Sequence, residues 1–262
     1  MMGDTLSKTQ PLQIDLSDSP LWHRWLQPLW AARQFLPAPF DASQIASDMA
    51  AYDAADASGY RAEFLTVLRR HLTAAKNTIE QDFLATHDGA VYVGQHARCI
   101  DGLLRLLRDE ACKIIPQSDA IAVIAVGGYG RGEMAPFSDI DVMFLMPAKA
   151  SKKHEAAIEF MLYLLWDLGL KIGHSTRSFS EAINAGRDDQ TVMTSFLEMR
   201  LVCGNAALWT KLSDALRLEI AKNKPLVFVE EKLAERDLRH KRFGDTRYVV
   251  EPNVKDARGG CG

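Results

Sequence analysis

The chain lacks most of what would mark a secreted, membrane-embedded or metal-stapled protein. Its four cysteines, Cys99, Cys112, Cys203 and Cys261, are scattered, with no Cys-x-x-Cys pair. Over 262 residues that pattern reads as free or buried thiols of a reducing compartment, not as a disulfide framework or a zinc site. No apolar run reaches the ~20 residues of a membrane span, and the opening stretch has no apolar signal core. A cytoplasmic protein without a membrane partner is expected. Basic charge is not in excess either: 31 Lys and Arg against 34 Asp and Glu leave a net charge of −3. A general attraction to nucleic acid is therefore absent, and a protein or small-molecule acceptor fits better. A Walker phosphate loop is missing, because Gly132 is followed by Glu133. The dinucleotide fingerprint would need glycine at 133 and a long helix beyond it.

What the chain does have is concentrated between Ile121 and Leu145, IAVIAVGGYGRGEMAPFSDIDVMFL. An apolar strand, Ile121–Val126, enters a turn containing Gly127, Gly128, Gly130 and Gly132. Ten residues separate Gly128 from Asp139, and Asp139 and Asp141 open a second apolar strand. Residues i and i+2 on a strand share a face, so the two carboxylates stand side by side as hard oxygen ligands for a divalent cation, Mg²⁺ or Mn²⁺. Gly127 and Gly128 leave backbone N–H groups open to phosphate, with a helix start expected behind them. A phosphate cradle and metal carboxylates on neighbouring strands point to nucleotidyl transfer, with Asp139 and Asp141 as catalytic metal ligands. Arg131 either contacts a triphosphate or pairs with Glu133. Ser138 either orients a phosphate oxygen or caps the strand.

Around this segment the spacing reads as helices. Residues 1–20 are polar and read as a disordered tail. Residues 21–115 form a helical region, in which Trp22, Trp25 and Trp30 are packing anchors. One helix covers Gly59–Thr86. A second covers Gln95–Ile115, with Ile100, Leu103, Leu104 and Leu107 on one face and Arg98, Arg105 and Arg108 on a solvated one. Pro116 breaks it. Residues 116–205 form the core that carries the site. After the second strand, Ile158, Met161, Leu162, Leu165 and Leu168 mark a helix closed by Gly169. Leu170–Arg177 reads as a third strand, and Ser178-Phe179-Ser180-Glu181 as a capping box. Further helices are expected over 188–203, 206–222 and 226–243. The fold class is α+β, a small mixed sheet with flanking helices.

The same residues resemble the polymerase-β-like nucleotidyltransferases, whose pattern is a glycine pair, a spacer and Asp-x-Asp. More narrowly, the chain resembles the bacterial uridylyltransferases that modify the nitrogen-signalling protein PII. The residues that carry this are Gly127-Gly128-Tyr129-Gly130-Arg131-Gly132-Glu133, Pro136 and Ser138-Asp139-Ile140-Asp141. Further matches are Leu165-Trp166-Asp167-Leu168-Gly169-Leu170, Gly173-His174-Ser175-Thr176-Arg177, Arg247-Tyr248 and Glu251-Pro252-Asn253-Val254-Lys255. The resemblance implies a helical region flanking the core, begun here by residues 206–262. It also implies UTP as donor, a tyrosine of PII as acceptor, and Lys255, with Arg247, closing on the nucleotide. His174 and Arg177 become suspects on the third strand, with a buried structural histidine as the alternative for His174. Many superfamily members place a third carboxylate on that strand; here there is none, and Asp167 and Glu198 are the possible substitutes.

The resemblance further implies a longer protein, with a phosphohydrolase domain that removes UMP and two domains that sense glutamine. The family pattern Gly-Gly-Leu-Arg-Asp reads Gly259-Gly260-Cys261-Gly262 here, so a truncated product or fragment is expected, without the removing and sensing activities. Three readings compete: a uridylyltransferase acting on PII, an adenylyltransferase acting on glutamine synthetase, and an inactive remnant that binds nucleotide or PII.

Overall fold

The computed structural model describes residues 40–50, 57–116 and 118–222, with the single positions 233, 237 and 238. The tryptophans at 22, 25 and 30, Arg247 and Lys255 lie outside the described residues, as does the helix expected at 226–243 apart from those three positions.

Helix α1 (Ala42–Met49) starts on Asp41, whose carboxylate accepts the amides of Ser43 and Gln44. Helix α2 spans Ala57–Thr86. Helix α3 spans Gly89–Ile114 and begins six residues before the start expected at Gln95, because Asp88 caps it through the amides of Ala90 and Val91. A good cap adds turns that the apolar period does not reveal. The stripe Ile100, Leu103, Leu104 and Leu107 is fully buried, as the spacing requires. Of the arginines, Arg105 is exposed as expected, its Nε donating to the Val202 carbonyl at 3.1 Å, whereas Arg108 keeps only 25% of its side chain exposed. Their aliphatic stems cover neighbouring surface while the heads find oxygens.

The sheet follows in the order β1 (Ala122–Ala125), β2 (Ile140–Met146), β3 (Ile172–Ser178) and β4 (Arg200–Gly204). A single helical turn, α4 (Gly127–Gly130), sits between β1 and β2, and α5 (Lys152–Asp167) joins β2 to β3. Then come α6 (Phe179–Asp188), α7 (Gln190–Leu197) and, after β4, α8 (Ala206–Lys222). The spatial order is β3-β2-β1-β4. Strand β1 runs antiparallel to β2 and β4, whereas β2 and β3 are parallel, which demands the long crossover that α5 supplies. Ser178 and Glu181 form the expected capping box of α6.

Alternation along β1 and β2 splits the interior into two cores. Val123, Ala125, Val142 and Phe144 pack with α2, α3 and α5. Ala122, Ile124, Met143 and Leu145 face α6, α7 and α8. The helices before the sheet therefore share one core with it. Each fully buried Leu, Ile or Phe here contributes about 1.5–3 kcal/mol of transfer free energy. No helix of the described residues is long and apolar enough to cross a membrane.

One expectation fails: the helix read over 188–203 stops at Leu197, and Arg200–Gly204 forms β4 on the outer edge of β1. Met199, Leu201 and Val202 continue a helical spacing, but five residues are too few for a period to discriminate. The deciding influence is tertiary, since the buried edge of β1 needs partners for its N–H and C=O groups.

Candidate active site

Strand β1 releases the chain at Val126, whose N–H donates to the Asp141 carbonyl at 3.1 Å. The glycine turn therefore leaves the sheet beside β2. Gly130 N–H reaches the Val126 carbonyl (3.0 Å), Arg131 N–H that of Gly127 (3.1 Å) and Glu133 N–H that of Gly128 (3.0 Å). Gly127 and Gly128 lie in the first turn, whose N–H groups have no partner four residues back. A Cβ built on Gly127 would stand 3.7 Å from Asp141 Oδ2, so the turn and this carboxylate are neighbours.

Asp139 is exposed and Asp141 half-buried. Ile140 between them is 3% exposed and belongs to the α3 and α5 core, which by alternation puts Asp141 on the opposite face, while Asp139 immediately precedes the strand. In the parallel register Asp141 lies beside Gly173, where any Cβ would collide with Asp141 Oδ1. Glycine leaves room there for the carboxylate as it stands, and β3 contributes no third one. The substitutes weighed for that ligand are otherwise engaged. Asp167 pairs with Arg61 at 2.8 Å, and Glu198 pairs with Arg131. Among the described residues no group of three or more His, Cys, Asp or Glu stands at metal-holding distance. Two hard carboxylates suit Mg²⁺, which keeps several waters and takes further oxygens from phosphate.

For Arg131 the ion-pair alternative is realised: its Nε donates to Glu133 Oε2 at 3.0 Å while Nη1 holds Glu198. Burial opposes its charge, and the two carboxylates outweigh that and raise its pKa. The two suspects on β3 separate. Arg177 is in register with Leu145, on the Asp141 side, whereas His174 is in register with Val142 and lies edge-on to Trp166 at 5.9 Å. Residues i and i+3 on a strand face opposite ways. His174 is also exposed, so the buried structural histidine is not found.

Ser138 is exposed, its amide bonded to the Ala135 carbonyl at 3.1 Å. With Phe137, Tyr92, His96, Lys76 and Lys171 it lines a cavity of about 500 Å³ between the loop and α2–α3. Neither Gly127, Gly128, Asp139 nor Asp141 lines it. Phe137 itself is 95% exposed and holds φ +64°.

Sequence reasoning missed a buried cluster beneath the turn. Asp101 on α3 accepts the Tyr129 hydroxyl at 2.7 Å and takes Arg200 in a two-pronged pair at 2.8 and 2.9 Å. Burial first, then the Asp101 charge, pushes the Tyr129 phenol well above its ordinary pKa. The available signal was Asp101 on the apolar stripe of α3, between Ile100 and Leu103–Leu104.

Comparison with known proteins agrees with this geometry. Residues 104–196 match the family described as nucleotidyltransferase domain, and residues 227–261 the family described as GlnD PII-uridylyltransferase. The chain is 44% identical over 207 residues to the bifunctional uridylyltransferase/uridylyl-removing enzyme of Rhodospirillum rubrum, covering 76% of this chain and 22% of that one. The corresponding enzyme of Ruegeria pomeroyi is 42% identical over 218 residues, 80% of this chain and 24% of its own. That of Bradyrhizobium sp. is 38% identical over 239 residues, 87% and 26%. The chain thus spans about a quarter of the length of these relatives.

Proposed function

We propose that this chain, which carries a nucleotidyltransferase domain and is similar to the N-terminal part of the uridylyltransferase/uridylyl-removing enzymes, transfers UMP from UTP to a tyrosine hydroxyl of protein PII. Pyrophosphate is the leaving group. The observation that carries this reading is the contact between turn and carboxylate: Gly127 lies beside Asp141 Oδ2, within the span of one triphosphate. The amides of Gly127 and Gly128 hold the β- and γ-phosphates. Asp139 and Asp141 hold the divalent ion, which when bound neutralises the leaving charge and lowers the pKa of the acceptor oxygen. Arg131 is engaged by Glu133 and Glu198 and would have to exchange one of these carboxylates to meet the triphosphate. By the family resemblance Lys255, outside the described residues, is assigned to the nucleotide as well.

The choice of UTP over ATP and of PII as acceptor rests on the relatives' names and on the motif. The test is turnover of UTP and of ATP with PII and Mg²⁺ by wild type, Asp139→Asn and Asp141→Asn. We expect UMP transfer by wild type and a loss of about 10²-fold or more in each variant, since several kcal/mol of charge stabilisation disappear. Near wild-type turnover in either variant would refute the metal assignment. Equal use of ATP would refute the uridylyl reading, and nucleotide binding without turnover would favour the remnant.

A further inference from the structure

We infer that Asp101, Arg200 and Tyr129 form a positioning device that holds the glycine turn at the pitch a triphosphate needs. The inference rests on the nucleotide-binding reading above. The three residues come from α3, β4 and the turn, and are 1%, 4% and 2% exposed. Tyr129 is gripped at three points. Its hydroxyl donates to Asp101 Oδ1 at 2.7 Å, its carbonyl accepts from Arg200 Nη2 at 3.3 Å, and the Arg200 guanidinium lies 4.9 Å from its ring centre. Asp101 Oδ1 also accepts from Arg200 Nη2 at 2.8 Å, so one carboxylate oxygen joins both partners. Arg200 is itself registered opposite Ala125, the last residue of the strand that feeds the turn.

A buried ion pair stabilises little relative to apolar packing of the same volume. Its advantage is direction: hydrogen bonds fix angles, whereas apolar contact lets a short turn slide or rotate. Tyr129 directly follows Gly128, so a grip on its carbonyl, ring and hydroxyl sets the orientation of the preceding amides. None of the three side chains needs to touch the nucleotide; they act through the backbone of Gly127 and Gly128.

Tyr129→Phe removes one oxygen and leaves the Asp101–Arg200 pair in place. Calorimetry on the full chain should show Mg·UTP affinity falling roughly fivefold to tenfold, the change that one lost hydrogen bond produces. Affinity for uridine, which has no phosphates, should not move. Arg200→Lys, which keeps the charge but loses the fork and the ring contact, should change affinity in the same direction. A purely structural role would lower the melting temperature and leave the ratio of UTP to uridine affinity unchanged. Independently of any nucleotide, amide hydrogen exchange in the peptide covering 127–132 should quicken in Tyr129→Phe. Unchanged exchange together with unchanged UTP affinity overturns the inference. Wild-type chain that takes no UTP, with faster exchange in the variant, overturns the functional reading and leaves the device standing.

Discussion

Two glycines of one turn should answer differently to the same added methyl. A Cβ on Gly130 would strike the Glu198 carbonyl oxygen and would stand 3.0 Å from Glu198 C and 3.1 Å from Ala125 O. All three are backbone atoms of the α7–β4 junction and of β1, so no side chain can rotate away and the turn itself must shift. Overpacking of that kind costs about 1–3 kcal/mol. In a chain of this size each kcal/mol lowers Tm by about 2–4 °C, so Gly130→Ala should melt roughly 2–12 °C below wild type. On Gly128 the nearest atoms would be Glu133 O at 3.4 Å and Arg131 Nη2 at 3.6 Å, ordinary contact distances. Alanine is also the better helix former by up to about 1 kcal/mol. Gly128→Ala should therefore melt at or slightly above wild type, yet bind Mg·UTP more weakly, because its methyl occupies the approach of phosphate to the backbone. Thermal denaturation and calorimetry on the same preparations separate the effects. A Gly130→Ala protein that melts with wild type, or a Gly128→Ala protein that binds UTP as wild type does, would refute the geometry assigned to this turn.

The remaining predictions concern pH and backbone strain. Burial pushes the thiols of Cys99 and Cys203 up to about 12 from an ordinary 9.0. Because the folded values are raised, their contribution is fully present below pH 9 and is lost as pH climbs toward 12. Urea midpoints should stay level from about pH 7 to 8.5 and then fall. Replacing both cysteines by alanine should flatten that fall, and an unchanged slope would contradict the assignment. Phe137, 95% exposed at φ +64°, buries nothing that a smaller residue would forfeit. Phe137→Asn should raise stability by roughly 0.5–1 kcal/mol through easier access to the left-handed region, and a clear loss of stability would show that the ring is in contact with something.

The nucleotidyltransferase core was legible in the chain because its signals are local. A glycine turn between two apolar runs, a capping box at Ser178, and carboxylates two apart at a strand start each depend on residues a few positions away. The α+β class and most helices followed from the same short-range periods. Tertiary structure alone decided what depends on residues far apart in sequence. Strand β4 exists because β1 needed a partner on its second edge, and nothing in Arg200–Gly204 announces that need. Asp101 and Arg200 are 99 positions apart, so their pairing beneath Tyr129 could not be read from spacing. Arg131 was open between triphosphate and Glu133 until the fold brought Glu198 to its other side. His174 and Arg177, three positions apart in the motif, were sent to opposite faces of β3 by its pleat. Local chemistry is written in neighbouring residues, whereas pairing across the sheet and charge burial depend on which distant surfaces meet when the two cores close.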